Sequence, residues 1–227
     1  MADVYPVNET FLSWQGEGVH LGRKAFFIRL QGCPVKCAWC DSASTWHPQY
    51  VPKQIRKSTA VELAAEAKAA DPQFVVLTGG EPCVHDLSPL LAEFRAVGLP
   101  VHLETCGAFP IVPGFAWVTL SPKWAKPPLP ESLSLANEVK IIVEAPDTID
   151  RWTQAVGGRW SAPHVWLHPE WSQRANPDVL RAVTDHVKRF GGAFRAGWQV
   201  HKPYSADALD VRARPPVPLG GDPAKGL

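Results

Sequence analysis

The chain of 227 residues has no apolar run that approaches the length of a transmembrane helix. Its start, Met-Ala-Asp-Val-Tyr-Pro, lacks a basic segment followed by an apolar one. No signal peptide is therefore expected, and the expected compartment is the cytoplasm. An excess of charge is also missing. With 23 basic and 22 acidic residues the net charge is +1, and no basic stripe marks a nucleic-acid partner. No internal repeat is found. Cysteine is limited to five residues, an odd number, and three of them crowd together as Cys33, Cys37 and Cys40. Without a secretion signal, this argues against a disulfide framework and for a metal or cluster site.

What is present fits one folded α/β domain: 45% hydrophobic and 20% charged residues over a length too short for two full domains. Ten tryptophans and 23 prolines point to irregular loops packed by large aromatics. The domain is expected over residues 1–210, with a Pro/Gly-rich, poorly ordered tail over 211–227.

Apolar runs predict strands at Ala25–Leu30, Gln73–Thr78, Pro100–Glu104, Ala116–Leu120, Glu138–Val143, His164–His168 and Phe194–Val200. Thr59 and Glu62 fit a capping box that opens a helix from Ala60 to Ala70. Ser88-Pro89 and Asn176-Pro177 read as caps of two further helices, ending at Val97 and before Gly191-Gly192. A fourth helix is expected over Asp147–Val156. The proline-rich stretch from Pro122 to Pro130 shows no helical period. Alternation of strands and helices favours a parallel sheet, with active residues at the C-terminal ends of its strands. Both the cysteine loop and Gly79-Gly80-Glu81-Pro82 follow strands, so both are expected on one rim.

Cys33-Pro-Val-Lys-Cys37-Ala-Trp-Cys40 spaces three thiolates as C-x3-C-x2-C. Thiolates are soft ligands suited to zinc or to iron–sulfur clusters. Three of them on a cubane leave one iron open to an exogenous ligand. The cysteines alone leave open a zinc site of three cysteines and a histidine, His47 being a candidate.

The loop, with Trp39 before its third cysteine, resembles the signature of the radical S-adenosylmethionine superfamily. So does Thr78-Gly79-Gly80-Glu81-Pro82, which in that superfamily binds the methionine ammonium of the cofactor. A finer resemblance runs along most of the chain, to about residue 204. Glu9 to Gly18, Phe26 to Leu30, Cys40-Asp41, Glu104 to Gly107, Ser121-Pro122-Lys123 and Gln199 to Lys202 are similar to segments of the 7-carboxy-7-deazaguanine synthase family.

This resemblance implies an incomplete, modified (β/α) barrel, abbreviated in the proline-rich region. It implies ring contraction of 6-carboxy-5,6,7,8-tetrahydropterin to 7-carboxy-7-deazaguanine with loss of ammonia, in queuosine or other deazapurine biosynthesis. The implied cofactors are a [4Fe–4S] cluster on Cys33, Cys37 and Cys40, S-adenosylmethionine, and Mg²⁺. The implied partners are flavodoxin or ferredoxin as reductant and a second copy of the chain. Trp39, Gly80, Glu81, Glu104, Ser121, Pro122, Lys123 and His168 are expected at the cofactor. Trp14, Gln15, Gly16, Glu17, Arg29 and Thr78 are expected at the substrate. No catalytic side chain is expected beyond the cluster and cofactor.

Each residue also has a plainer reading. Glu17 alone reads as an exposed loop acid, Lys123 as an exposed lysine, and Arg29 as half of a structural ion pair. Ser42, expected to bind Mg²⁺ where the family usually has threonine, reads alone as a turn-capping hydroxyl. Cys83 and Cys106 read as small buried residues. Two other functions stay open on the residues: a glycyl-radical activase and a non-catalytic zinc module.

Overall fold

The computed structural model describes residues 3–158 and 160–214. Its strands are β1 (Val4–Trp14), β2 (Lys24–Leu30), β3 (Arg56–Thr59), β4 (Phe74–Gly79), β5 (Val101–Thr105), β6 (Trp117–Leu120), β7 (Glu138–Val143), β8 (His164–Pro169) and β9 (Phe194–Ala196). They form one sheet in the order β3-β1-β2-β4-β5-β6-β7-β8-β9. β1 runs antiparallel to both of its neighbours. Every pairing from β2–β4 to β8–β9 is parallel.

The helices are α1 (Ala60–Ala69), α2 (Ser88–Ala96), α3 (Pro130–Leu135), α4 (Thr148–Ala155), α5 (Pro177–Phe190) and α6 (His201–Tyr204). The expected capping box opens α1: the Glu62 amide donates to Thr59 Oγ1 at 3.2 Å, and the Thr59 amide to Glu62 Oε2 at 2.8 Å. Asn176 caps α5 by accepting from the Asp178 amide at 3.0 Å, with Pro177 in the first helical position. Ser88 is not the cap of α2. Leu87 holds that position, and Asp86 Oδ1 accepts from the Ser88 amide at 3.0 Å. An acid two residues upstream does the work expected of the serine.

The outer faces of the parallel strands pack on the helices. Phe26, Ile28, Leu30, Val75, Leu77, Val101 and Leu103 meet Leu63 of α1 and Leu90 and Phe94 of α2 in one core. Val139, Ile141, Val165 and Leu167 meet Ile149 and Trp152 of α4 and Val179 and Val183 of α5 in another. Each such side chain contributes about 1.5–3 kcal/mol on full burial. Those alternate positions fix which face of each strand is left for the concave side.

The sheet does not close. β3 and β9 are its edges, as an incomplete barrel requires. It is strongly curved all the same. The Gln15–Arg23 connection between β1 and β2 touches β7, four strands away from β2 in the sheet, which a flat sheet would not allow. The chain after β9 spans the gap between the edges: the Val200 amide donates to Gly16 O at 3.1 Å, and the Leu12 amide to Asp210 Oδ2 at 2.8 Å.

Three expectations need correction. β9 stops at Ala196 and not at Val200, because the chain leaves the sheet to reach Gly16. The proline-rich stretch ends in a short helix, α3, begun by Pro130. Among the described residues the crossover without a helix is β5 to β6. Finally, Val211 to Arg214 are not loose: the Arg214 guanidinium donates to Asn8 O at 2.7 Å and the Arg212 guanidinium to Asp210. Residues 215–227 of the expected tail lie outside the described residues.

Candidate active site

β2 delivers the cysteine loop and β4 delivers the glycine pair, side by side in the sheet. The Glu81 amide donates to Gly32 O at 2.9 Å, and the Gly80 amide to Leu30 O at 3.1 Å. A Cβ on Gly80 would come within 2.3 Å of Gly32 O and 2.6 Å of Cys33 Cβ, so only glycine lets the two segments meet. The Gln31 side chain ties the loop exit by donating to Thr45 O at 2.7 Å, and Asn8 holds Gln31 at 2.8 Å.

All three cysteines of the loop are free and partly exposed. Burial pushes the Cys37 thiol up to about 11, and its neighbours Cys40 and Cys33 add to the shift. Burial raises Cys40 as well. Thiols crowded in this way fit a site whose positive charge comes from bound iron. Among the described residues, no three His, Cys, Asp or Glu side chains converge on one metal-ion position. A cubane does not require that, because its three thiolates go to separate irons.

Beside the loop, Lys123 Nζ lies 5.3 Å from the centre of the Trp39 ring and donates to Ser121 O at 2.8 Å and Ser121 Oγ at 2.6 Å. Burial lowers the Lys123 pKa, against the pull of Cys37. Trp39, Ser121, Pro122 and Lys123 are thus together at the cysteine loop, and Lys123 is no exposed lysine.

Glu81 differs from its expectation. Its side chain is buried, and its two oxygens accept from the Thr105 hydroxyl at 2.7 Å, the Cys106 amide at 2.8 Å and the Cys83 amide at 3.0 Å. The carboxylate is committed to the ends of β5 and the following turn. What this segment presents to the cysteine loop is backbone. Cys106 is buried as expected, and Cys83 is partly buried.

The concave face carries a polar cluster. The Gln15 side chain donates to Glu104 Oε1 at 3.0 Å, and Gln199 to Glu17 Oε1 at 2.7 Å. Lys140 of β7 pairs with Glu17 Oε2 and lies 3.7 Å from Glu104 Oε2. Glu17 is therefore no exposed loop acid: its side chain is 8% exposed. Burial opposes its charge, but Lys140 outweighs that and holds the carboxyl well below the usual range. Gly16 packs on His201, and the Trp14 ring meets Tyr204 edge-on at 5.6 Å. Glu104 and His168 were expected with the cofactor residues. The structure groups Glu104 with Gln15, and His168 lines a cavity of about 330 Å³ with Glu17, Trp166 and Trp198.

Between this cluster and the cysteines lies Arg29. Its Nε donates to Glu9 Oε1 at 2.6 Å and its Nη1 to Ser42 Oγ at 3.3 Å. Thr78 is its register partner on β4. Ser42 Oγ donates to Asp41 Oδ1 at 3.1 Å and makes no capping bond, so it faces Arg29 and not the turn. Burial would raise the Asp41 carboxyl, but Lys202, at 3.3 Å, and Arg29 hold it down at about 2.

Comparison with known proteins decides the family. A model described as a 4Fe-4S single cluster domain matches residues 14–151. A 7-carboxy-7-deazaguanine synthase from Synechocystis sp. is 42% identical over 87% of this chain and 91% of its own. The chain belongs to the 7-carboxy-7-deazaguanine synthase family. A second member, from Flavobacterium psychrophilum, is 34% identical over 88% of this chain and 91% of its own. The crystal structure of QueE from Escherichia coli superposes with a TM-score of 0.72 at 31% identity, covering 87% of this chain and 95% of that one. For a 7-carboxy-7-deazaguanine synthase relative, an iron–sulfur cluster with S-adenosylmethionine is the reading of the cysteine loop, and the zinc module and the activase are set aside.

Four residues around the site had no role assigned from the sequence: Glu138 and Lys140 stood only in an expected strand, and Glu9 and Gln199 only in segments similar to the family. Glu138 accepts from Thr119 Oγ1 at 2.8 Å, from the Val19 amide at 2.9 Å and from Trp166 Nε1 at 2.9 Å. The signal was there: in Glu138-Val-Lys140-Ile-Ile-Val two opposite charges alternate with apolar residues in a strand whose other face is core.

Proposed function

We propose that this chain converts 6-carboxy-5,6,7,8-tetrahydropterin to 7-carboxy-7-deazaguanine with loss of ammonia. The observation that carries this reading is a juxtaposition. The three-thiol loop, backed by Gly80, adjoins a concave pocket of acceptors and amides built from Gln15, Glu17 and Glu104. A cluster on Cys33, Cys37 and Cys40 with S-adenosylmethionine beside it would supply the radical chemistry of reversible hydrogen abstraction at carbon 6 of the pterin.

The chain supplies position and exclusion of water. Glu17 and Glu104 accept from the aminopyrimidine edge, and Gln15 offers both donor and acceptor. Arg29 faces the substrate carboxylate with the end of its fork, since Glu9 already holds its Nε. Thr78 stands beside it. Trp39, Ser121 and Lys123 line the cofactor side, with the backbone of Gly80 and Glu81. Ser42 and Asp41 place oxygen donors for Mg²⁺ at the substrate carboxylate. Phe74, His102 and Trp117 at the starts of β4, β5 and β6 pack with His20 of the β1–β2 connection and shut the far end of the pocket. Flavodoxin or ferredoxin serves as reductant, and the enzyme works as a homodimer in the cytoplasm.

The test is direct. Anaerobically reconstituted protein is incubated with a low-potential reductant, S-adenosylmethionine, Mg²⁺ and the carboxytetrahydropterin. The deazaguanine acid and one equivalent of ammonia are expected. Uncoupled cleavage of S-adenosylmethionine with no deazaguanine would refute the substrate assignment.

A further inference from the structure

We infer that Lys140 is a positioning residue, which lets Glu17 act as a proton-free acceptor beside Glu104 in the substrate pocket. The inference rests on the proposed pterin reading and deepens it. Lys140 is the centre of a chain of five side chains, Gln199, Glu17, Lys140, Glu104 and Gln15. Its ammonium contacts Glu17 Oε2 and lies 3.7 Å from Glu104 Oε2, while Gln199 and Gln15 donate to the other oxygen of each acid, at 2.7 and 3.0 Å. The side chains of Glu17, Lys140 and Glu104 are 8%, 13% and 25% exposed, so water does little to separate the two negative charges.

Two carboxylates in one dry pocket share a proton unless a cation stands between them. A shared proton would convert an acceptor oxygen into a donor. It would face either the Gln199 amide or the donor edge of the pterin, and both are donors themselves. An ammonium on a flexible stem has three donors and reaches both acids at once. Burial disfavours the charge on Lys140, but Glu104 and Glu17 outweigh it and push its pKa upward.

The other ionisable groups around Glu17 come from several elements: His168 on β8, His201 on α6, Asp41 on the cysteine loop and Glu138 beside Gly18. His168 and His201 also favour the Glu17 carboxylate, but each less than Lys140 does. Burial depresses His168 to about 4, which leaves it neutral near pH 7. Asp41 and Glu138 are acids. Without Lys140, the Glu17 pKa therefore rises. Binding should then be weak at low pH and recover as the pH passes the raised value.

The experiment measures the Kd of the carboxytetrahydropterin on reconstituted holoenzyme with S-adenosylmethionine and no reductant, so that nothing turns over. The pH runs from 6.0 to 8.5. Wild type is expected to vary little. Lys140→Met is expected to bind about tenfold more weakly at pH 6.0 and to recover most of that by pH 8.5. Lys140→Arg is expected to restore the flat profile. Should Lys140→Met not fold, Lys140→Met with Glu104→Gln takes its place: one acid is then neutral by construction, and its profile is expected to be flat. An unchanged Kd in Lys140→Met, or a loss that is equal at every pH and not rescued by arginine, overturns the inference alone. Failure of wild type to bind the pterin at any pH overturns the function from which the inference was drawn, and the inference with it.

Discussion

At the residue scale, Glu81 separates two roles that one motif joins. Its carboxylate lies under the rim and satisfies one hydroxyl and two backbone amides. Glu81→Ala would strand these donors in a buried site, at a cost of about 3 kcal/mol. The denaturation midpoint of the cluster-free protein should fall accordingly. A midpoint that stays in place would mean that the carboxylate is free for a ligand after all. The expected pairing with a cofactor ammonium came from the resemblance of the Gly-Gly-Glu-Pro segment, supported by residue type. Type does not say which way a side chain turns once Thr105 and the Cys106 amide compete for it. The same limit hid Lys140 and Glu138. Gln15, Glu17, Arg29 and the cysteines could be singled out as candidates because they stand in short motifs. Lys140 could not, because its partners are 123 and 36 residues away in sequence and only the curvature of the sheet brings them to it.

At the level of elements, the segment after β9 acts as the missing wall of the barrel. Gln199 reaches Glu17, Val200 reaches Gly16, Asp207 accepts from Ser13 Oγ at 3.0 Å, and Asp210 accepts from the Leu12 amide. None of these contacts touches the cysteine loop. Among the described residues, Lys202, which pairs with Asp41, is the ion pair that links it to that side. A chain ending at Gly197 should therefore keep its capacity for about four irons per protein, in line with one [4Fe–4S] cluster. Its pterin affinity should fall by at least about tenfold, the loss of one charge-assisted hydrogen bond or more. Iron analysis and pterin binding on one preparation check both halves. Equal loss of iron and affinity would show that the segment holds the whole fold and not the pocket wall. Most elements were legible from apolar runs and caps, since local signals bound them: α1 by its capping box, α5 by Asn176-Pro177. β1 was not. Its sequence, Val-Tyr-Pro-Val-Asn-Glu-Thr-Phe-Leu-Ser-Trp, loses simple alternation at a register shift between Val7 and Glu9: Tyr5 and Val7 join the core under the helices, whereas beyond the shift Phe11 packs on Phe27 and Thr10 bonds to Glu66 of α1. It reads as a strand only once β2 and β3 are known to flank it.

For the whole molecule, the curved sheet makes an interior that is polar toward the cysteines and aromatic at the opposite end, and histidines buried at several places in the fold set its response to acid. His102 stacks on Phe74 at 4.0 Å and His20 lies 4.5 Å from His102. Burial depresses His102 to about 3 and His168 to about 4, and it lowers His20 and His186 as well. In the unfolded chain the same groups take up protons near pH 6.5. The unfolded state thus binds more protons than the folded state below that value, and the sign is fixed: stability is full above pH 6.5 and falls as the pH drops. For His168 the fall levels off near 4, and for His102 near 3. Each contributes at most about 1.4 kcal/mol per pH unit, so a loss of about 3 kcal/mol is expected between pH 6.5 and 5. Glu17 and Asp41 add nothing in that window, because their carboxyls are held down and lose their stabilisation only at lower pH. Denaturant midpoints of the cluster-free protein at pH 7.5, 6.5 and 5.0 read this without interference from acid loss of iron. The combined variant His102→Phe, His168→Gln should flatten the slope over that range, whatever it does to the midpoint at pH 7.5. A steep slope that survives both substitutions would place the acid sensitivity elsewhere in the fold.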